Sequence, residues 1–147
     1  MTGVALRFDL AADPRIARLL DRLVQLDVEP LLEGIGAEVE SQTRRRISVD
    51  KASPSGQAWP EWSADYAETR HSGHSLLQSA NHLLGSISYE VRADSVLVGS
   101  PLIYAATHNF GDEERGLPQR EFLGVEGQDY EDLVGLVEDY LEDIVNG

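Results

Sequence analysis

Cysteine is missing from all 147 residues of this chain, which excludes disulfide staples and thiolate metal sites. That absence suits folding in a reducing cytoplasm. No apolar run approaches the roughly 18 to 20 residues of a membrane span. The opening Met1-Thr2-Gly3-Val4 lacks the basic-then-apolar order of a signal peptide. The expectation is a soluble protein made inside the cell, with no membrane partner. Basic residues are scarce: 12 Lys and Arg stand against 26 Asp and Glu, for a formal charge of −14. The shortage deepens along the chain. Residues 1–51 carry 8 basic and 9 acidic side chains, residues 52–147 carry 4 and 17, and no Lys or Arg follows Arg120. Sequence-independent binding to a phosphate backbone needs cations that displace counterions, so ordinary nucleic-acid binding is disfavoured and no specific nucleic-acid partner is expected. The charge instead repels DNA and keeps copies soluble.

Catalytic signatures are missing too. There is no Gly-x-Gly-x-x-Gly, no Walker-type loop and no Gly-x-Ser-x-Gly. His71, His74, His82 and His108 form no His-Glu-x-x-His pattern, and a catalytic zinc needs three fixed ligands. They read as solvated histidines, with His108 half-buried and hydrogen-bonded. The pair Glu113-Glu114 has no identifiable acid/base partner. No catalytic residue, metal or cofactor is expected.

What is present is enough for one domain over residues 1–147 with one core. Val4, Leu6, Phe8 and Leu10 alternate with smaller or polar residues, the period of a half-buried strand. Asp13-Pro14 predicts a helix start, because Asp caps free amides and Pro loses nothing at the first helical position. Ile16, Leu19, Leu20, Leu23 and Leu26 supply its stripe. After Val28-Glu29-Pro30 a second helical face runs from Leu31 to about Ser48, with Gly34 and Gly36 placed to let another backbone come close. Asp50 to Trp62 reads as a loop, Ser63 to Arg70 as a short helix and Arg70 to Ser75 as a turn. Leu76, Leu77, Leu83 and Leu84 read as helical packing. Ile87, Tyr89 and Val91 against Val96 and Val98 predict a hairpin turning at Arg92 to Ser95. Tyr104 to Phe110 has helical spacing and stops at Gly111. Finally, Tyr130, Leu133, Val134, Val137, Tyr140, Leu141 and Ile144 define an amphipathic helix with an acidic outer face. The expected class is α+β, with the N-terminal helices and the C-terminal helix on a small antiparallel sheet built from the first strand and the hairpin.

An ordered set of short motifs runs through the middle of the chain. Pro54-x-Gly56-x-x-Trp59 comes first, then Leu77, Leu83, Ser86 and Ile87 entering the hairpin, then Val96-Leu97-Val98-Gly99-Ser100. Tyr104-Ala105-x-x-His108-Asn109-x-Gly111 and Pro118-x-Arg120-x-Phe122-Leu123-Gly124 follow. No one of them is specific, but in this order and spacing the chain resembles the phage virion morphogenesis family, the tail-completion proteins of Mu-like and related tailed phages. It departs mildly from the family pattern, with Ala80 where threonine is usual, Asn81 where glycine is usual and Asn109 for glutamine. The resemblance implies a structural protein of the virion neck that completes the tail and allows head–tail joining, as a homo-oligomeric ring of six. Its implied neighbours are the tail tube protein and the head–tail connector proteins, with DNA passing through the ring.

Two groups of residues are candidates for contacts in such a ring. Trp59, Trp62, Arg44, Arg45, Arg46, Arg120 and Phe122 form an expected subunit interface, since Trp and Arg are enriched at hot spots. The alternatives are core packing for the tryptophans, a solvated helix end for the arginine run and an internal salt bridge for Arg120. Asp112, Glu113 and Glu114, with Glu138, Asp139, Glu142 and Asp143, form an expected acidic lumen or docking face. The alternative there is a merely solvated surface. The rival reading of the whole chain is an acidic DNA mimic that inhibits a nuclease.

Overall fold

The computed structural model describes residues 3–21, 27–61 and 82–146. Strand β1 (Val4–Asp9) opens the chain and helix α1 (Pro14–Leu20) follows. Helix α2 (Glu29–Arg45) continues into a π-helical turn, Arg46–Asp50. A short helix α3 (His82–Ser86) leads into the hairpin β2 (Ser88–Val91) and β3 (Ser95–Ser100). Helices α4 (Ile103–Phe110) and α5 (Gly127–Asn146) complete the chain. The protein is α+β.

The three strands form one antiparallel sheet in the order β1-β3-β2. Register places Leu6 opposite Val98 and Val98 opposite Tyr89, then Phe8 opposite Val96 and Val96 opposite Val91. Alternation therefore lines one face with apolar rows, and α2 lies against β2 and β3. Leu31, Leu32, Ile35 and Val39 of α2 are buried, at the three- and four-residue spacing of a helix stripe. On its other side α2 meets α5, which buries Leu133, Val134 and Val137. Helix α1 packs on α5 in turn, and Arg15 reaches Glu131 at 3.1 Å.

Local chemistry explains the ends of these elements. Asp13 caps α1 by accepting from the amides of Arg15 (2.9 Å) and Ile16 (3.1 Å), with Pro14 in the first turn. Gly111 ends α4 at φ 78°, a region open to glycine at little cost. Gly34 and Gly36 do make room, but for side chains and not backbone. A Cβ on Gly36 would lie 2.4 Å from the ring of Tyr89, and one on Gly34 would lie 3.4 Å from Leu136. The second helix runs past Ser48 as well, because the π turn carries it to Asp50 and Lys51 closes it in the left-handed conformation. Trp62, Leu23 and Leu26, the 63–70 helix, the turn bearing His71 and His74, and Leu76, Leu77, Ala80 and Asn81 lie outside the described residues.

Candidate functional site

The first and fourth motifs meet the last one, the extended segment 118–124, and hold it inside the fold, while Ser86 of the second bonds to Ser100 at 2.7 Å. Asn109 is the bracket. Its side-chain oxygen accepts from the amides of Phe122 (3.1 Å) and Leu123 (3.2 Å), while its own carbonyl accepts from Gln119 Nε2 at 3.1 Å. The Arg120 amide donates to the carbonyl of His108 at 2.8 Å. Trp59 donates its indole N–H to Glu121 O at 2.8 Å, and the Arg120 guanidinium donates to the carbonyls of Pro60 (2.9 Å) and Glu61 (3.2 Å). Gly124 sits where a Cβ would lie 2.6 Å from Pro54 Cγ. Asn109, Trp59, Arg120 and Gly124 of the motif series thus serve a backbone group or a close approach. Buried N–H and C=O groups of a non-helical segment need such partners.

The arginine run is divided between inside and outside. Arg46 is 2 % exposed. It donates to Phe122 O at 2.9 Å and to Asp129 Oδ2 at 2.6 Å. Arg45 holds the other Asp129 oxygen at 2.7 Å and Asp50 at 3.1 Å, and Gln42 donates to the backbone carbonyl of Asp129 at 3.1 Å. Burial pushes the Asp129 carboxyl up, but hydrogen bonds from Arg45 and Arg46, together with their charges, bring it below its ordinary value. Arg44 stays half-exposed beside Glu40 (3.2 Å) and donates to Ile87 O at 2.8 Å. The network ties the end of α2 to the start of α5 and to the 118–124 segment.

Four of the residues proposed for a subunit contact face inward. Trp59, Phe122, Arg46 and Arg120 are buried within the chain, and the polar atoms of three of them serve its backbone. Arg120 meets Pro60 and Glu61 through their carbonyls. Arg44 and Arg45 remain on the surface, with side chains 45 % exposed. The acidic candidates are outward as well: Glu113, Glu114, Glu138, Asp139, Glu142 and Asp143 are exposed and Asp112 is half-buried. Asp112 and Leu117 pair through reciprocal backbone hydrogen bonds of 2.8 and 2.9 Å, so Glu113 to Gly116 form a closed tip. His108 is half-buried and packs edge-on to Tyr104, with centroids 5.9 Å apart.

The sequence reading missed three features. Asp129 drew no attention, although an acid in the first turn of a helix is a signal in itself. Asn109 passed as a variant of glutamine. The exposed apolar side chains also went unnoticed: Ile103 is 84 % exposed, Phe110 65 % and Val49 71 %, with Tyr104 partly exposed. Ile103 and Phe110 are seven residues apart on α4, opposite to the buried Ala105 and Asn109. Among the described residues no three His, Asp or Glu side chains are grouped to hold a metal ion. No helix there is long and apolar enough to cross a membrane.

The chain matches the phage virion morphogenesis family over residues 11–142 and belongs to it. It is 27 % identical over 135 residues to "Putative capsid assembly protein G" of Escherichia phage Mu, covering 84 % of this chain and 86 % of that one. It is 29 % identical over 134 residues to "Mu-like prophage FluMu G protein 2" of Haemophilus influenzae, covering 86 % and 89 %. No solved structure matches it. Its role is one in the structure or assembly of a bacteriophage particle.

Proposed function

We propose that this protein completes the tail of a tailed phage at its head-proximal end, as a non-catalytic neck component that makes the tail ready for the head. Six copies form a ring that DNA crosses, with the tail tube protein on one side and the head–tail connector on the other. The observation that carries the reading is where the motif residues go. Asn109, Trp59, Arg120 and Gly124 all hold one backbone segment in place. A ring subunit needs that rigidity, whereas a catalytic centre would leave some of these groups facing a cavity. Exposed Ile103 and Phe110 on a chain of charge −14 favour contacts that form during assembly over association in free solution.

The name of the phage Mu relative favours a second reading, a role in building the head. A lysate of phage lacking this gene separates the two. Micrographs with full heads beside unattached tails support tail completion. Absent or misshapen heads support the head role, and normal joined virions overturn both.

A further inference from the structure

We propose that the exposed face of α4, with the acidic tip that follows it, seats on the basic end of α2 in a second copy of this chain. The inference rests on the ring reading above and names the two surfaces that meet. Ile103 and Phe110 stand exposed on one side of α4, and Phe110 is two residues from Asp112, where the Glu113-Glu114 tip begins. One surface therefore presents an apolar ridge beside negative charge.

Its counterpart lies at the end of α2. Arg44, Arg45, Arg46 and Lys51 fall within eight residues that hold one acid, Asp50, the densest run of positive charge in the sequence, and with Arg46 buried against Asp129 the surface charge comes from the other three. Val49 stands in that run, 71 % exposed and one turn beyond Arg45. This surface presents an apolar residue beside positive charge. Arg44 and Arg45 already hold Glu40, Asp50 and Asp129. A guanidinium has five donors, however, and both side chains are half-exposed, so each has room for a further carboxylate. Apolar meets apolar and acid meets base when Phe110 of one copy lies near Val49 of the next, with Glu113 and Glu114 over Arg44 and Arg45.

The two surfaces differ, so the contact is heterologous and propagates until it closes into a ring. An isologous contact of α4 with α4 would set acidic tip against acidic tip. Charge repulsion between copies acts over about 8 Å at physiological ionic strength, and the local pairing of the two surfaces sets the fit inside that range.

The absence of cysteine makes the test clean. Particles carrying Val49→Cys with Phe110→Cys are oxidised, and the products are separated without reductant. A ladder of covalent multimers rising to the ring number is expected, with no cross-link from either single variant. A second pair, Arg44→Cys with Glu113→Cys, probes the charged half of the contact, and circular dichroism checks that each variant is folded. Particles that contain the protein but yield no multimers from either pair overturn the proposal. So does a single variant that cross-links to itself, which would signal an isologous contact. The ring surface and the tail-completion reading fail separately: a ladder can form in particles whose deletion phenotype is in the head, and a head–tail joining defect can occur without any ladder.

Discussion

Asp129 shows how one residue stabilises a join between three segments. Its carboxylate lies between Arg45 and Arg46, and Arg46 has almost no contact with water. Asp129→Asn keeps the shape but leaves Arg46 buried without its counter-charge. Breaking such a pair costs roughly 3 to 5 kcal/mol, a large part of a domain's stability, and urea denaturation at pH 7 measures it. The pH dependence follows in sign. The carboxyl is held below its ordinary 3.8, so its contribution is full above that value and is lost as the pH falls through the folded-state value. The Asn variant has already lost it, and its stability falls less steeply below pH 4 than that of the unaltered protein. His108 behaves differently. Burial, then the charges of Arg120 and Arg115, push its pKa below 6.5, so the folded state favours the neutral ring. Stability is full above 6.5 and declines as the pH falls from there toward the folded-state value. His108→Phe removes the proton-binding ring, and the slope below pH 6.5 flattens in the same measurement.

At the scale of elements, the seat of α2 on the sheet is set by a missing side chain. Gly36 faces the Tyr89 ring so closely that even a methyl group would lie 2.4 Å away. Tyr89 is also fixed at its far end, where its hydroxyl donates to Glu33 at 2.8 Å. The ring therefore has little freedom to give way. Gly36→Ala is expected to lose about 1 to 3 kcal/mol by overpacking, beyond any gain in helix propensity. Gly36→Ala with Tyr89→Leu recovers part of it, as thermal unfolding of the single and double variants will show. The opposite end of α2 widens into a π turn as it passes the buried network. The buried residues of α5 stop at Val137, and Ile144 and Val145 in its last turn stand exposed.

At the scale of the molecule, acidic side chains outnumber basic ones among the described residues, and the basic ones gather most densely at the end of α2. Glu138, Asp139, Glu142 and Asp143 line one exposed flank of α5, and the tip after α4 adds Glu113 and Glu114. If the tip is what meets the next copy, the α5 flank is left for the path of the DNA. A negative lining keeps the polymer from sticking as it passes. Reversing Glu138, Asp139, Glu142 and Asp143 to lysine is then expected to leave particles and their cross-linked ladder intact while slowing DNA release. Release is followed by dye fluorescence after triggering. Particles that fail to assemble would place the flank at a contact, and unaltered release would leave it as a solubility device.

Much of this was legible in the residues themselves. Asp13-Pro14, the alternation of Val4 to Leu10, the hairpin and the stripe of the last helix are local signals. Period and capping depend on neighbours a few residues away, and the structure has each of them in place. The ordered motifs carried the family, because order and spacing are read along the chain without its fold. What those motif residues do was decided only by tertiary structure. Trp59 and Glu121 are 62 positions apart, and Arg46 and Asp129 are 83 apart. Nothing in the run Arg44-Arg45-Arg46 says which of the three turns inward. Arg46 is the one that turns inward, where α5 supplies Asp129 and the 118–124 segment supplies the Phe122 carbonyl, while the side chains of Arg44 and Arg45 stay 45 % exposed. The same packing leaves Ile103, Phe110 and Val49 outside, since an apolar residue is buried only when the fold supplies a surface to cover it.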